Sequence, residues 1–323
     1  MNAQTGRSCD IEFSVVSGSN DDLLFGCIES VLSTIALSPY RCCVTATCNR
    51  PHSDLAERLR HRFPGIVVIE NEIQRGFAEN HNTILRRSDA RYVWLLNDDL
   101  VMLPGTVDRV TAFLDDPANS GVAVVSPRLL NPDGSLQRST YGFPSMPQIL
   151  LSHSGLRESR TMERALSAVA PLFRPRPGQS RFWGHDRTLA VETLRGACVA
   201  VRMEAVRDVG EMVEVSLVGG EETEWHRRFR ENGWKVVFMH DASVIHYGSQ
   251  TVGLAAIGHL PEYLKGSLYY FRTRRPAVLY RLFCLSLSAL FSVRAVWAWV
   301  RRDEKSLELM RRYLDVTSAE KDD

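Results

Sequence analysis

Tyr92-Val93-Trp94-Leu95-Leu96-Asn97-Asp98-Asp99 runs five apolar residues straight into an amide and two carboxylates. An apolar run of that length reads as a strand buried on both faces. Carboxylates at the C-terminal end of such a strand stand where open α/β sheets bind their ligands. Asp and Asn oxygens are hard donors suited to Mg²⁺ or Mn²⁺, ions that bridge protein carboxylates and substrate phosphates. Taken alone, the acidic pair also reads as turn residues ahead of a helix at Pro104.

Outward from this strand, the first 130 residues alternate short apolar runs with helical patterns, the signature of βαβ units on a mostly parallel sheet. The pattern predicts strands near Glu12–Val16, Arg41–Thr47, Ile66–Glu70, Tyr92–Leu96 and Val122–Ser126. It predicts helices at Asp22–Ala36, Ser53–Arg62, Phe77–Arg87 and Pro104–Leu114, with Ser53 as an N-cap and Pro104 in a first turn. No G-x-G-x-x-G follows the first strand, where Ser17-Gly18-Ser19-Asn20 stands, so a dehydrogenase-type dinucleotide cradle is unsupported. Asn131-Pro132-Asp133-Gly134 predicts a hairpin turn. An Arg- and Pro-rich loop is expected at about 155–187, then a helix from Glu221 to Asn232 and strands near Lys235–Met239 and Ser243–His246.

The 323 residues, 44% hydrophobic and 24% charged, are those of an ordinary globular chain. A formal charge of +1 supplies no global pull toward nucleic acid, and none is expected as a partner. The seven cysteines show no C-x-x-C spacing and are expected to be reduced thiols in the cytoplasm. The start carries no apolar signal-like run. Ala277 to Val300 is apolar but interrupted by Arg281 and Arg294, which predicts an interfacial rather than a spanning segment.

Two further places could carry chemistry. Glu221, Glu222 and Glu224 follow Gly219-Gly220 at a predicted helix start. Acidic residues belong there electrostatically, because helix N-termini carry partial positive charge. One of the three could also be a general base that takes a proton from a substrate hydroxyl. His246, ending a short strand, could be a metal ligand with Asp99 or an ordinary histidine.

The order of these segments resembles the inverting family-2 glycosyltransferases of the GT-A fold, especially their rhamnosyltransferase-like members. Arg75-Gly76-Phe77-Ala78-Glu79-Asn80-His81-Asn82 is similar to the family's segment before the metal strand, and Asn97-Asp98-Asp99 to its N-x-D. Ser126-Pro127, Asp133-Gly134 with Gln137, Gly196-Ala197-Cys198 and Arg207-Asp208-Val209-Gly210 follow in the family's order. Glu221-Glu222-Thr223-Glu224-Trp225-His226-Arg227-Arg228 with Gly233-Trp234, then His246, Gly248 and Ser249, complete a match covering Phe13 to Thr251.

This resemblance implies an α/β GT-A domain over 1–252, with a nucleotide-sugar half at 1–130 and an acceptor half at 131–252, followed by a helical region at 253–323. It implies that Asp99 and His246 hold Mg²⁺ or Mn²⁺ and that Glu222 is the base, with Glu221 and Glu224 as alternatives. Ser17, Ser19, Cys48, Arg75, Gly76, Asn82, Asn97 and Asp98 would line the donor, and Gly196 and Arg228 the acceptor side. The expected donor is a dTDP- or UDP-sugar, dTDP-rhamnose first, and the acceptor a glycan or lipid-linked hydroxyl. The chain departs from the family in carrying Glu222 for an aspartate and Cys48 for the aspartate that reads the base. Those departures leave two alternatives: another UDP- or GDP-sugar, or a non-catalytic binding relative.

From Tyr263 to Arg302, aromatic residues mix with arginines. That mixture predicts peripheral contact with the inner face of the plasma membrane. The same residues would equally pack a helical subdomain or a homodimer contact.

Overall fold

The computed structural model describes residues 9–154, 185–217, 219–248 and 256–319. In chain order the first half forms β1 (Ile11–Val16), α1 (Asp21–Ile35), β2 (Cys42–Cys48), α2 (Leu55–Arg62), β3 (Val67–Glu70), α3 (Phe77–Arg87), β4 (Tyr92–Asn97), β5 (Leu100–Met102), α4 (Thr106–Asp115), β6 (Val122–Leu130), β7 (Leu136–Gln137) and β8 (Thr140–Tyr141). Then come α5 (Met146–His153), β9 (Leu189–Val191), β10 (Thr193–Leu194), β11 (Cys198–Arg202), α6 (Met203–Val209), α7 (Glu221–Glu231), β12 (Lys235–His246), α8 (Ala256–Arg272), α9 (Ala277–Val300) and α10 (Glu304–Ala319).

The chain divides into two compact units. The first holds the described residues 9–142, 185–217 and 221–248, and the second holds 143–154, 219–220 and 256–319. The division is thus not a single cut at 252: α5 and Gly219–Gly220 belong with the C-terminal helices.

In the first unit the main sheet runs β3-β2-β1-β4-β11-β6-β12-β5. The four leading strands are parallel, as the βαβ pattern requires, and β11 enters antiparallel between β4 and β6. Alternate residues of the buried strands feed two cores, one on each face. Phe13, Trp94 and Val15 face one, and Val93, Leu95 and Val199 the other. Phe13 stacks on Trp94 with ring centroids 5.7 Å apart.

Several expectations shift. Ser53 does not cap α2; its Oγ donates to the Arg50 carbonyl (2.8 Å), and the helix begins at Leu55. Pro104 lies outside α4, which starts at Thr106 after Gly105 takes φ +76°, a conformation that suits glycine. The two short strands expected at 235–246 are one strand, β12, whose pairing with β6 slips between Met239 and Ser243. The Asn131–Gly134 turn is present, closed by the Asn131 N–H on the Ser135 carbonyl (2.8 Å) with Gly134 at φ +80°. Of the expected loop at 155–187, residues 155–184 lie outside the described ones, as does Ser249.

The cysteine expectation needs correction. Cys9 and Cys43 are joined in a disulfide, Cα atoms 6.2 Å apart. Spacing along the chain did not show the pair because the parallel pairing of β1 with β2 brings it together. Cys27, Cys42, Cys48, Cys198 and Cys284 are free thiols.

The second unit is helical. Phe271, Phe283, Leu287, Phe291 and Tyr313 form its core, on which residues of α5 also pack. Gly219 and Gly220 (φ +85° and +98°) approach α8 so closely that a Cβ on Gly220 would lie 2.8 Å from the Gly266 Cα. A side chain there would be both strained and obstructed.

Candidate active site

The site gathers at the C-terminal ends of β1, β2 and β4. Val16 pairs with Asn97 across β1 and β4, so the Ser17–Gly18 loop and the Asn97–Asp99 turn leave the sheet side by side. Asp98 turns toward that loop, where its Oδ2 accepts from the Gly18 N–H (2.5 Å). It therefore braces the backbone of the loop expected to meet the donor.

Asp99 and His246 meet because β5 pairs antiparallel with β12, His246 opposite Leu100. The Tyr247 N–H bonds the Asp99 carbonyl (2.9 Å), extending that ladder by one step. Asp99 Oδ1 lies 3.2 Å from His246 Nε2, both side chains buried, and this oxygen has no hydrogen-bond partner.

Gln137, quoted in the sequence motif but given no role there, fixes the histidine. Its Nε2 donates to Asn131 Oδ1 (3.0 Å) and to the His246 carbonyl (3.3 Å), two groups that only accept. The amide oxygen must then face His246 Nδ1, which donates to it (2.5 Å). With the proton on Nδ1, Nε2 presents a lone pair to the Asp99 carboxylate. A ring nitrogen and a carboxylate oxygen at that distance can share a divalent ion, so the pair fits the implied metal. Among the described residues no third His, Cys, Asp or Glu joins them.

The base end is built differently. All three glutamates stand in the first turn of α7. Glu221 is buried and accepts from Ser216 Oγ (3.1 Å), and Glu224 is buried and accepts from Arg228 Nε (2.9 Å). Glu222 is half-buried and lies over Gly196: a Cβ there would be 3.8 Å from Glu222 Cδ and 3.4 Å from Phe77 Cζ. Gly196 adjoins Ala197, whose carbonyl accepts from the Asn97 N–H (2.9 Å), so Glu222 overlooks the strand ends that carry the acidic turn.

Two buried histidines underlie this end. His81 meets Phe77 edge-on at 4.4 Å and pairs with Ser14 Oγ (2.8 Å). His226, on α7 itself, accepts from the Leu194 N–H (3.3 Å) and pairs with Thr193 Oγ1 (2.9 Å). Burial holds both down to about 3, so both are neutral at ordinary pH.

Other expected residues divide. Cys48 is buried at the end of β2, and burial, with the Glu70 charge adding, pushes its thiol up to about 11. It is a neutral group where the family has a carboxylate. Ser17 is buried and its Oγ accepts from the Asn49 N–H (2.8 Å), whereas Ser19 and Arg75 are exposed. Gly76 is needed for close approach, since a Cβ would sit 2.6 Å from the Ser216 carbonyl oxygen.

Two assignments change. Asn82 does not face a donor: its amide bonds both Met212 backbone groups (2.8 and 3.1 Å) and Glu214 (2.8 Å), pinning the chain ahead of α7. Arg228 does not face an acceptor, because its guanidinium is taken by Glu224 and the carbonyls of Val209 and Glu211. Asn49 and Asn71 stand in no motif that assigned them a role. Together with Asn80 they form an amide chain tying the end of β2 to the Arg75–Gly76 backbone.

Residues 10–263 match the family model described as glycosyltransferase like family 2. Two relatives, each an N-acetylglucosaminyl-diphospho-decaprenol L-rhamnosyltransferase of Mycobacterium tuberculosis (strains CDC 1551 / Oshkosh and ATCC 25618 / H37Rv), are 23% identical over 229 residues, 66% of this chain and 69% of theirs. GalNAc-T7 with UDP, GalNAc and Mn2+ superposes with a TM-score of 0.52 at 14% identity, over 75% of this chain but only 44% of its own. The mannosyltransferase PcManGT from Pyrobaculum calidifontis, in complex with GDP-Man and Mn2+, gives 0.51 at 13% identity over 98% of this chain and 87% of its own. These last two likenesses are of fold.

Proposed function

This chain belongs to glycosyltransferase-like family 2 and has the GT-A fold, and on that premise we propose that it transfers a sugar, rhamnose first, from a nucleoside diphosphate to an acceptor hydroxyl with inversion. The acceptor is a glycan or lipid-linked hydroxyl, a reading supported by the name of the mycobacterial relatives. The observation that carries the mechanism is the place of Glu222, whose Cδ would lie 3.8 Å from a Cβ on Gly196, the residue next to the one that bonds the Asn97 backbone.

Glu222 takes the acceptor proton as the acceptor oxygen bonds to the anomeric carbon. The bond from that carbon to the diphosphate breaks on the opposite face, and the nucleoside diphosphate leaves with the electron pair. Because the glycine leaves no side chain under it, the longer arm of a glutamate has space where the family has an aspartate. Asp99 and His246 would hold a divalent ion, Mn²⁺ or Mg²⁺, which supplies charge neutralisation for the departing diphosphate. Asp98 keeps the Ser17–Gly18 loop in place beside it.

The neutral, buried Cys48 favours a second reading, in which the donor carries a base other than the family's usual one or is bound without turnover. One experiment separates these. Glu222→Gln should cut turnover by about 10²–10⁴ while donor-induced thermal stabilisation persists. Full activity in Glu222→Gln would remove the assigned base; stabilisation of the parent chain without release of nucleoside diphosphate would establish the binding-only relative.

A further inference from the structure

The sequence reading treated Tyr263–Arg302 as one mixed surface, but the structure sorts it. Tyr270 and Phe271 are core residues, and Arg294 turns inward to donate to the His153 carbonyl (2.5 Å). What remains outside is a stripe along α9: Val278, Leu282, Leu285, Val293, Val296 and Val300, each 52% to 71% exposed. At helical spacing these six fall within an arc of about 80° over a length of about 33 Å. The opposite face, including Tyr280, Phe283, Leu287 and Phe291, is buried against the unit's own core.

We propose that this stripe docks flat on an anionic lipid bilayer, with α9 lying in the interface. Charge decides the occupant. From Arg272 to Lys305 there are eight basic residues and two acidic ones, and apart from Arg281 and Arg294 the basic ones stand at the two ends of the helix. Trp297 and Trp299 are exposed near one of those ends, with the Arg301 guanidinium 4.4 Å from the Trp297 ring centre. Aromatic rings and arginines at the margins of an apolar stripe match the layering of acyl chain and headgroup.

A second copy fits worse, because pairing two α9 stripes in either direction sets a basic end against a basic end. Crossing the bilayer is also disfavoured. The helix is long and apolar enough, at 24 residues with an 18-residue window of mean hydropathy 1.6, but leaving its neighbours would uncover Phe283, Leu287 and Phe291. The proposal rests on the transferase reading only for its use, that of reaching a lipid-linked acceptor. Binding itself needs no donor and no base.

The test is flotation of the full chain with phosphatidylcholine vesicles, with and without phosphatidylglycerol, over a salt series. The parent should float with the anionic vesicles and lose binding as salt rises. Leu285→Glu with Val293→Glu, and separately Arg301→Glu with Arg302→Glu, should each weaken binding by about tenfold or more. Glu222→Gln should float like the parent, which keeps this result apart from the catalytic one. Three results would overturn the proposal: no flotation of the parent, a lipid-free dimer that Leu285→Glu with Val293→Glu converts to monomer, or retention in the vesicles after alkaline carbonate, the mark of a spanning helix.

Discussion

Asp99 and His246 are set by a strand ladder, His246 opposite Leu100 and the Asp99 carbonyl taking the Tyr247 N–H, and a side-chain amide then locks the imidazole. Glu222 is set by the opposite means. It stands in the first turn of a helix, over a glycine with Phe77 beside it, and His81 packs on that ring. The metal end is thus ordered by a backbone ladder and a side-chain amide, and the base end by the close approach of a helix start to Gly196. The first arrangement should fail through lost orientation, the second through lost room.

The largest effect expected of this contrast is at Gln137. Gln137→Met removes the acceptor opposite Nδ1 and should weaken Mn²⁺ binding about 10–100-fold by calorimetry or paramagnetic resonance, while Gln137→Glu, which still accepts, should keep most of it. Equal loss in both variants would mean that Gln137 supports the fold and not the tautomer. Next is Gly196→Ala. The new methyl is accommodated, 3.4 Å from Phe77, but takes space beneath the base. Turnover should fall about tenfold with the melting temperature and Mn²⁺ affinity nearly unchanged. A loss of Mn²⁺ affinity instead would show that the two ends are not independent.

The effect that is smallest near neutral pH, and grows only in acid, is on stability. His81 and His226 are held near 3 when folded and return to the ordinary value near 6.5 when unfolded. Their contribution is complete above pH 6.5 and is lost as pH falls toward 3, since the unfolded chain binds the protons first. Urea midpoints should therefore decline over that range, and His226→Gln should flatten the decline. An unchanged slope in His226→Gln would remove that histidine from the account.

How much of this could be read beforehand follows from the range of the interactions. The βαβ half was legible because each strand and helix carries its own period, and α3 spans Phe77–Arg87 as its pattern predicts. Asp99 and His246 stood out by residue type and order. Asn82 and Arg228 were misjudged because their types suit a ligand while their partners, at Met212 and Glu214 or at Val209 and Glu211, are fixed only by folding. The Cys9–Cys43 bond was hidden for the same reason, being the product of a strand pairing. The outward stripe of α9 was legible as apolar, but which arginine turned inward was not.

The sheet order also bears on how the chain comes into being. β3, β2, β1 and β4 are complete once residue 97 has been made, yet β4 waits for β11 at Cys198 and β5 for β12, which ends at His246. At ribosomal rates of about 5–20 residues per second, Asp99 precedes its partner by roughly 7 to 30 s. Until β11 is made, the nascent protein leaves the apolar edge of β4 open, and it is then that aggregation or chaperone capture competes with completion of the site.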